Sequence, residues 1–270
     1  MERQPPTASR PPDPQFEVLR VEDLSKAFGD RLVLDDLHLS LRTGENLAIL
    51  GKSGTGKSVL LRIIMGLLPA DSGRVFLWGR PTESLREDDW VPFRRRMGMV
   101  FQAGALFDSM SVFENVAFPL RERRMHSEVE IRSAVEERLE WVGLPGIGDM
   151  SPSELSGGMR RRVALARTLA VDPEFVLYDE PTAGLDPVTG RRISRLMRDL
   201  DNKLHSTSVL VTHDIECART VSSRWAYLSG GRVLAEGSPE ELLATANPEI
   251  REFLLAEERA QDLPSSFLEP

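Results

Sequence analysis

The segment Gly51-Lys52-Ser53-Gly54-Thr55-Gly56-Lys57-Ser58 has the spacing GxxxxGK[ST], and each residue type in it suits a polyphosphate ligand. Glycines let the backbone curl so that successive N–H groups point inward at phosphate oxygens, and a helix starting at the end of the loop adds partial positive charge. Lys57 would neutralise the β- and γ-phosphates, and the Ser58 hydroxyl would ligate Mg²⁺. Lysine is scarce in this chain, four residues against 30 arginines, so Lys57 in that slot stands out from background. A second cluster, Phe175-Val176-Leu177-Tyr178-Asp179-Glu180, is an apolar run ending in two carboxylates. Asp179 would hold Mg²⁺ through its water shell, and Glu180, one residue on, would polarise an attacking water. Taken alone, such a pair could equally be a solvated strand end; the phosphate loop upstream gives it a chemical reading.

These residues must be brought together by the fold. Leu47–Leu50 (LAIL), Phe175–Tyr178 (FVLY) and Ser208–Val211 (SVLV) are continuous apolar or β-branched runs, the pattern of strands covered on both faces. Each is followed at once by polar residues, GKSGTGKS, DEP and THD. From Phe16 to about Tyr227 such runs alternate with helical patterns, which predicts an α/β fold with a mostly parallel sheet. In open sheets of this kind ligands bind at the carboxyl ends of the strands, so the three polar clusters should converge there.

The middle third reads differently. Ser127–Val142 carries Ile131, Val135, Leu139 and Val142 at helical spacing, with Ser127 and Glu130 as a capping box and Gly143 at the end. A second box, Ser151 with Glu154, has Pro152 at the first helical position and precedes LSGGMRRRVALARTLA, a further helix opened by Gly157-Gly158. A mostly helical insertion, about residues 104–170, is therefore expected within a domain spanning 16–240. Residues 1–15, polar and Pro-rich, read as a flexible tail, and 241–270 as a helical extension in which Asn247-Pro248 starts a helix with Ile250, Phe253 and Leu254 on one face.

Composition narrows the function. Among 270 residues, 34 are Lys or Arg and 42 are Asp or Glu, giving a net charge of −8. That balance argues against a protein whose main task is gripping nucleic acid. Cys217 is the only cysteine, so an intrachain disulfide and a cysteine-based zinc site are both excluded. The apolar run from Val59 to Pro69 is broken by Arg62 and Gly66 and is too short to span a membrane. With no apolar leader in the first fourteen residues, the chain reads as soluble, reduced and cytosolic.

One segment is not explained by a generic phosphate loop: Leu155-Ser156-Gly157-Gly158-Met159. Together with Gln102, the Ala183-Gly184-Leu185-Asp186 loop and His213, it resembles the ATP-binding-cassette (ABC) ATPases, over about Phe16 to Pro239. The resemblance implies a P-loop NTPase fold with a mostly parallel core sheet, a small antiparallel N-terminal sheet and a helical subdomain. It implies that Gly51 to Ser58 and Val59 bind ATP, that Phe28 stacks on adenine, and that Gln102 contacts Mg²⁺ and the attacking water. By the same resemblance His213 touches the γ-phosphate, while Ser156, Gly157, Gly158 and Met159 act on the nucleotide of an opposite subunit. Asp186 would communicate across that homodimer. Phe28, followed by Gly29-Asp30, could instead pack over a hairpin. Arg160-Arg161-Arg162 reads as the solvated and interfacial side of its helix, and Met97, Met99 and Met110 read as packing.

Two copies suit the physics. A helix tip opened by Gly157-Gly158 offers N–H groups to an anion, yet it lies in the insertion, away from its own phosphate loop; a twofold axis would supply each site with both elements.

A narrower resemblance lies in Phe101-Gln102-Ala103-Gly104-Ala105-Leu106-Phe107-Asp108-Ser109-Met110, Val112–Val116, Phe118–Glu122, Pro152–Met159 and Pro248–Leu254. These are similar to the motor subunits of Mla/Mce phospholipid transporters, including Met159 where other ABC signatures carry glutamine. What this implies is an ATPase on the cytoplasmic face of the inner membrane. It would drive lipid through a separate integral permease and be linked indirectly to periplasmic lipid-binding subunits. A toluene- or solvent-resistance type of transport, and a low-turnover ATP-gated scaffold, are the alternatives; Glu180 speaks against the scaffold.

Overall fold

The computed structural model describes residues 16–102, 104–123 and 127–262. The tail 1–15, Ala103 and residues 263–270 lie outside the described residues.

Two sheets form the frame. A hairpin of two twelve-residue strands, β1 (Glu17–Phe28) and β2 (Arg31–Arg42), turns at Gly29-Asp30. It is followed by β3 (Asn46–Leu50), α1 (Lys57–Ile64), β4 (Ser72–Leu77), the short β5 (Arg80–Pro81), α2 (Glu87–Arg94) and β6 (Met97–Val100). Helices α3 (Val112–Arg123), α4 (Glu128–Trp141) and α5 (Gly157–Leu169) come next. The chain then returns through β7 (Phe175–Asp179), α6 (Pro187–Leu204), β8 (Thr207–Thr212), α7 (Ile215–Val221), β9 (Arg224–Ser229) and β10 (Arg232–Gly237), and ends with α8 (Pro239–Leu243) and α9 (Pro248–Asp262). The antiparallel sheet has the order β2-β1-β4-β5, and the six-stranded sheet the order β10-β9-β3-β8-β7-β6. In the larger sheet β9, β3, β8, β7 and β6 are parallel, and β10 alone pairs antiparallel.

The three apolar runs are β3, β7 and β8, adjacent strands at or beside the sheet centre, and they are buried because both faces are covered. Alternation decides which core each side chain joins. Leu47, Ile49, Phe175, Leu177, Val209 and Val211 pack with α1 and the antiparallel sheet. Ala48, Leu50, Val176, Tyr178 and Leu210 face the opposite core, shared with the helices from α3 onward and with Ile250, Phe253 and Leu254 of α9.

Local signals set the helices as their chemistry predicts. Ser127 caps α4 reciprocally: its amide donates to Glu130 Oε2 at 2.6 Å and its hydroxyl accepts from the Glu130 amide at 3.4 Å. Ser238 and Glu241 do the same for α8. Met97 and Met99 are core residues of β6, whereas Met110 lies half-buried in the turn before α3.

Candidate functional site

The carboxyl ends of β3, β7 and β8 deliver the three polar clusters to one place. Leu50 leads into the phosphate arch, β7 ends in Asp179 with Glu180 next, and His213 follows β8. A pocket of 510 Å³ is lined by Phe28, Ser53, Gly54, Gly56, Lys57, Ser58, Val59, Gln102, Glu180 and His213. Gly51, Lys52 and Thr55 complete the arch behind that wall, the Thr55 hydroxyl donating to the Lys52 carbonyl at 2.9 Å.

The arch is held open by its own lysine. Lys57 Nζ, buried, donates to the Gly51 carbonyl at 2.6 Å and the Lys52 carbonyl at 3.0 Å, and stands 3.7 Å from Glu180 Oε1. Gly56 adopts φ +103°, and a Cβ there would lie 2.9 Å from the Val33 carbonyl, so only glycine lets the chain enter α1 at this point. The Ser58 hydroxyl donates to Asp179 Oδ1 at 2.7 Å. A hydroxyl and a carboxylate so placed are the hard oxygen donors that Mg²⁺ takes, which fits the ion to Ser58 and Asp179, with Gln102 on the pocket wall.

The neighbouring carboxylates differ in charge behaviour. Burial raises the Asp179 carboxyl above its ordinary range, with the Ser58 hydrogen bond opposing it. Burial acts on Glu180 in the same sense, but the hydrogen bond and charge of His213, and the charge of Lys57, outweigh it and hold Glu180 below the usual carboxylate range. Its Oε2 lies 3.0 Å from His213 Nδ1 and accepts from the Thr212 hydroxyl at 3.3 Å. Glu180 also adopts φ +46°, a left-handed conformation unfavourable for a residue with a side chain, and its backbone N–H donates a hydrogen bond to the Val211 carbonyl at 2.9 Å. The result is an ionised carboxylate fixed between two cationic or proton-donating groups at the mouth of a phosphate arch.

Phe28 is 50% exposed on the pocket wall, with Nζ of Lys26, from the same strand, 5.5 Å from the ring centre. Sequence reasoning missed Arg31, which lines the same pocket and donates to the Gly54 carbonyl at 3.3 Å. The signal was its position across the turn, since Phe28 and Arg31 are direct partners in the hairpin.

Ser156 to Met159 and Asp186 are not among the residues lining this pocket. Ser156 caps α5, its hydroxyl accepting from the Met159 amide at 3.2 Å, and Ser156 and Gly157 are exposed. Asp186 caps α6 through the amides of Val188 and Thr189, and the Thr189 bonds foremost hold its carboxyl below the usual range. The two caps are neighbours, because a Cβ on Gly158 would lie 2.7 Å from Thr189 Cγ2. The arginine run is a correction: only Arg160 is solvated. Arg161 and Arg162 are half-buried and turn inward onto backbone carbonyls.

A sequence family model described as ABC transporter matches residues 34–183. The intermembrane phospholipid transport system ATP-binding protein MlaF of Haemophilus influenzae is 40% identical over 253 residues, 94% of this chain and 95% of that one. A probable ribonucleotide transport ATP-binding protein, mkl, of Mycobacterium leprae is 40% identical over 89% of this chain and 70% of its own. Among solved structures, the dimeric post-hydrolysis state of the ATP-binding cassette MJ0796 with ADP and Pi superposes with a TM-score of 0.75 at 35% identity, covering 82% of this chain and 98% of that one. CbiO1 from Clostridium perfringens, part of the transporter complex cbiONQ, gives 0.77 at 32% identity, covering 92% and 98%.

Proposed function

Since the chain belongs to the ABC transporter ATP-binding family, we propose that it is the ATP-hydrolysing subunit of a transporter that moves phospholipid through a separate membrane permease. It would work as a homodimer on the cytoplasmic face of the inner membrane. The observation that carries the phospholipid reading is the match to MlaF, which runs over nearly the whole of both chains; the match to mkl leaves almost a third of that relative uncovered. No helix among the described residues is long and apolar enough to cross a membrane.

The chemistry follows from the pocket. The triphosphate lies along the arch, where backbone amides and Lys57 offset its charge. Ser58 and Asp179 are the residues that would hold Mg²⁺, with Gln102 beside them, and the ion would neutralise the β- and γ-phosphate oxygens. Glu180, ionised, accepts a proton from a water as the water oxygen bonds to the γ-phosphorus, and the bond from that phosphorus to the β–γ bridging oxygen breaks to leave ADP and phosphate. His213, 3.0 Å from Glu180, orients the carboxylate from its far side. A scaffold with little turnover has no use for an ionised carboxylate strained into this position.

Two features support assembly. Ser156 and Gly157 are exposed, Gly158 is half-buried beside Thr189, and all three are absent from their own chain's pocket wall, which leaves the tip available to a second copy. A cleft of 660 Å³ beside Phe101 is lined by Met97, Met99, Phe107, Phe118 and Pro119, with Arg95, Arg123 and Arg167 around it. Its apolar floor and cationic edge suit an amphipathic helix of the permease, and it adjoins Gln102. The test is purification of the chain from detergent-solubilised membranes: an integral membrane subunit carrying phospholipid is expected to accompany it, and recovery with ribosomes or DNA instead would overturn the reading.

A further inference from the structure

Three arginines of α5 each clasp a pair of backbone carbonyls. Arg162 binds those of Val142 and Gly143 at the end of α4, both at 3.2 Å. Arg167 binds those of Gly104 and Ala105 at 3.1 and 2.8 Å. Arg161 differs, because its two carbonyls belong to segments of the active site that are 82 positions apart. One terminal nitrogen donates to Phe101 at 3.3 Å and the other to Ala183 at 3.1 Å. Phe101 immediately precedes Gln102. Ala183 lies between Glu180 and Asp186, and its own amide donates to the Glu180 carbonyl at 3.2 Å.

Burial draws the Arg161 guanidinium below its ordinary range, the sign of a charge taken partly out of water. Among the described residues its hydrogen-bond partners are carbonyls rather than a carboxylate, so an ion pair does not repay that cost. What the contact provides is geometry. The planar fork of a guanidinium holds two acceptors at a fixed spacing. Here it fastens the loop of Gln102 and the Glu180–Asp186 loop to the second turn of the helix whose tip is Ser156–Gly158.

We propose that Arg161 is a positioning residue that couples the two ATP sites of the dimer. Through it, the placement of Gln102 and Glu180 around one nucleotide sets the placement of the Ser156–Gly158 tip on the other. This rests on the paired-site reading above and adds the residue that transmits between the sites.

The test uses the full chain, with phosphate release measured against ATP concentration and affinity for a fluorescent ATP analogue measured on dilute monomer. In the wild type a Hill coefficient approaching the number of sites, about 2, is expected. Arg161→Met is expected to lower kcat by about tenfold and bring the Hill coefficient to about 1, with monomer affinity unchanged within about twofold. Arg161→Lys, which keeps N–H donors, should recover part of the cooperativity. Arg162→Met, which removes an equivalent clasp from the same helix, should keep the wild-type Hill coefficient. If the methionine variant does not fold, Arg161→Gln carries the same expectation. A cooperative wild type with an equally cooperative Arg161→Met or Arg161→Gln variant, or the same loss in Arg162→Met, would overturn the assignment of Arg161 alone. A wild type that is non-cooperative and stays monomeric with ATP would overturn the paired-site reading itself.

Discussion

The Ser58 hydroxyl donates to Oδ1 of Asp179 across 2.7 Å, although 121 positions separate the two residues in the chain. The first turn of α1 and the last residue of β7 meet there because β3 and β7 flank β8 in the parallel sheet and both run toward the same edge. Burial keeps Asp179 harder to ionise than an ordinary carboxyl, a cost that a divalent cation would offset. Asp179→Asn is therefore expected to raise the Mg²⁺ concentration for half-maximal phosphate release by about tenfold or more, with nucleotide binding in EDTA little changed. A variant with the wild-type Mg²⁺ requirement would remove Asp179 from the ion's site.

Glu180→Gln keeps the shape of the side chain and its contact with Thr212 but loses the charge that His213 and Lys57 hold in place. Phosphate release is expected to fall by about 100- to 10,000-fold, the usual contribution of a positioned base. ATP should still bind, and because it is no longer consumed the chain should elute as an ATP-loaded dimer in size-exclusion chromatography. Unchanged turnover would take Glu180 out of the role assigned to it.

The division of each site between two chains can be tested by mixing. Lys57→Ala removes the arch cation, and Ser156→Arg blocks the helix tip; either homodimer should be inactive. A heterodimer of the two contains one intact site, made of Lys57 from one chain and Ser156 from the other. Equal mixing should therefore restore about a quarter of the wild-type number of working sites. An inactive mixture in which heterodimers are shown to form would argue that the tip does not serve the opposite arch.

Much of this was legible in the sequence because the relevant signals are local. β3, β7 and β8 are buried on both faces, so an unbroken apolar run identifies them, and Ser127 with Glu130 announces α4 by chemistry confined to four residues. β6 was not legible: it is four residues long, contains Gly98, and becomes a strand only because β7 offers it a partner. Arg31 enters the site by pairing across the turn from Phe28, a relationship set by hairpin register rather than by residue type. The inward course of Arg161 and Arg162 was hidden for another reason. Helical periodicity fixes the side from which a residue leaves the helix, but a long side chain can lay its stem along apolar surface and end elsewhere.

The cleft beside Gln102 yields a prediction that separates catalysis from coupling. Phe107 and Phe118 meet there with ring centres 5.1 Å apart and planes tilted by 55°, both exposed, and the Arg167 guanidinium lies 5.6 Å from the Phe107 ring. Neither ring lines the nucleotide pocket. Phe118→Glu should weaken recovery of the permease subunit in pull-downs while leaving the ATPase rate of the isolated chain within about twofold, as for a surface change distant from the chemistry. Intact co-purification would place the permease elsewhere on the surface.

Asp201 supplies the pH dependence. It is 1% exposed near the end of α6 and accepts hydrogen bonds from the hydroxyls of Tyr178, Ser206 and Ser208 at 2.7 to 3.0 Å. Tyr178 directly precedes Asp179, so this cluster latches α6 to the strand that delivers the carboxylates. Burial, outweighing these bonds, raises the Asp201 carboxyl from 3.8 to about 6. Because the folded state holds the proton more tightly than the unfolded chain, Asp201 favours the fold most fully below pH 3.8, and that contribution is lost as pH rises through 6. Asp201→Asn has nothing to titrate. The stability of the wild type relative to Asp201→Asn, from urea unfolding, should therefore fall by about 2 kcal/mol between pH 4 and pH 7. A difference that stays flat, or that grows with pH, would mean that the three hydroxyls stabilise the carboxylate enough to cancel its burial.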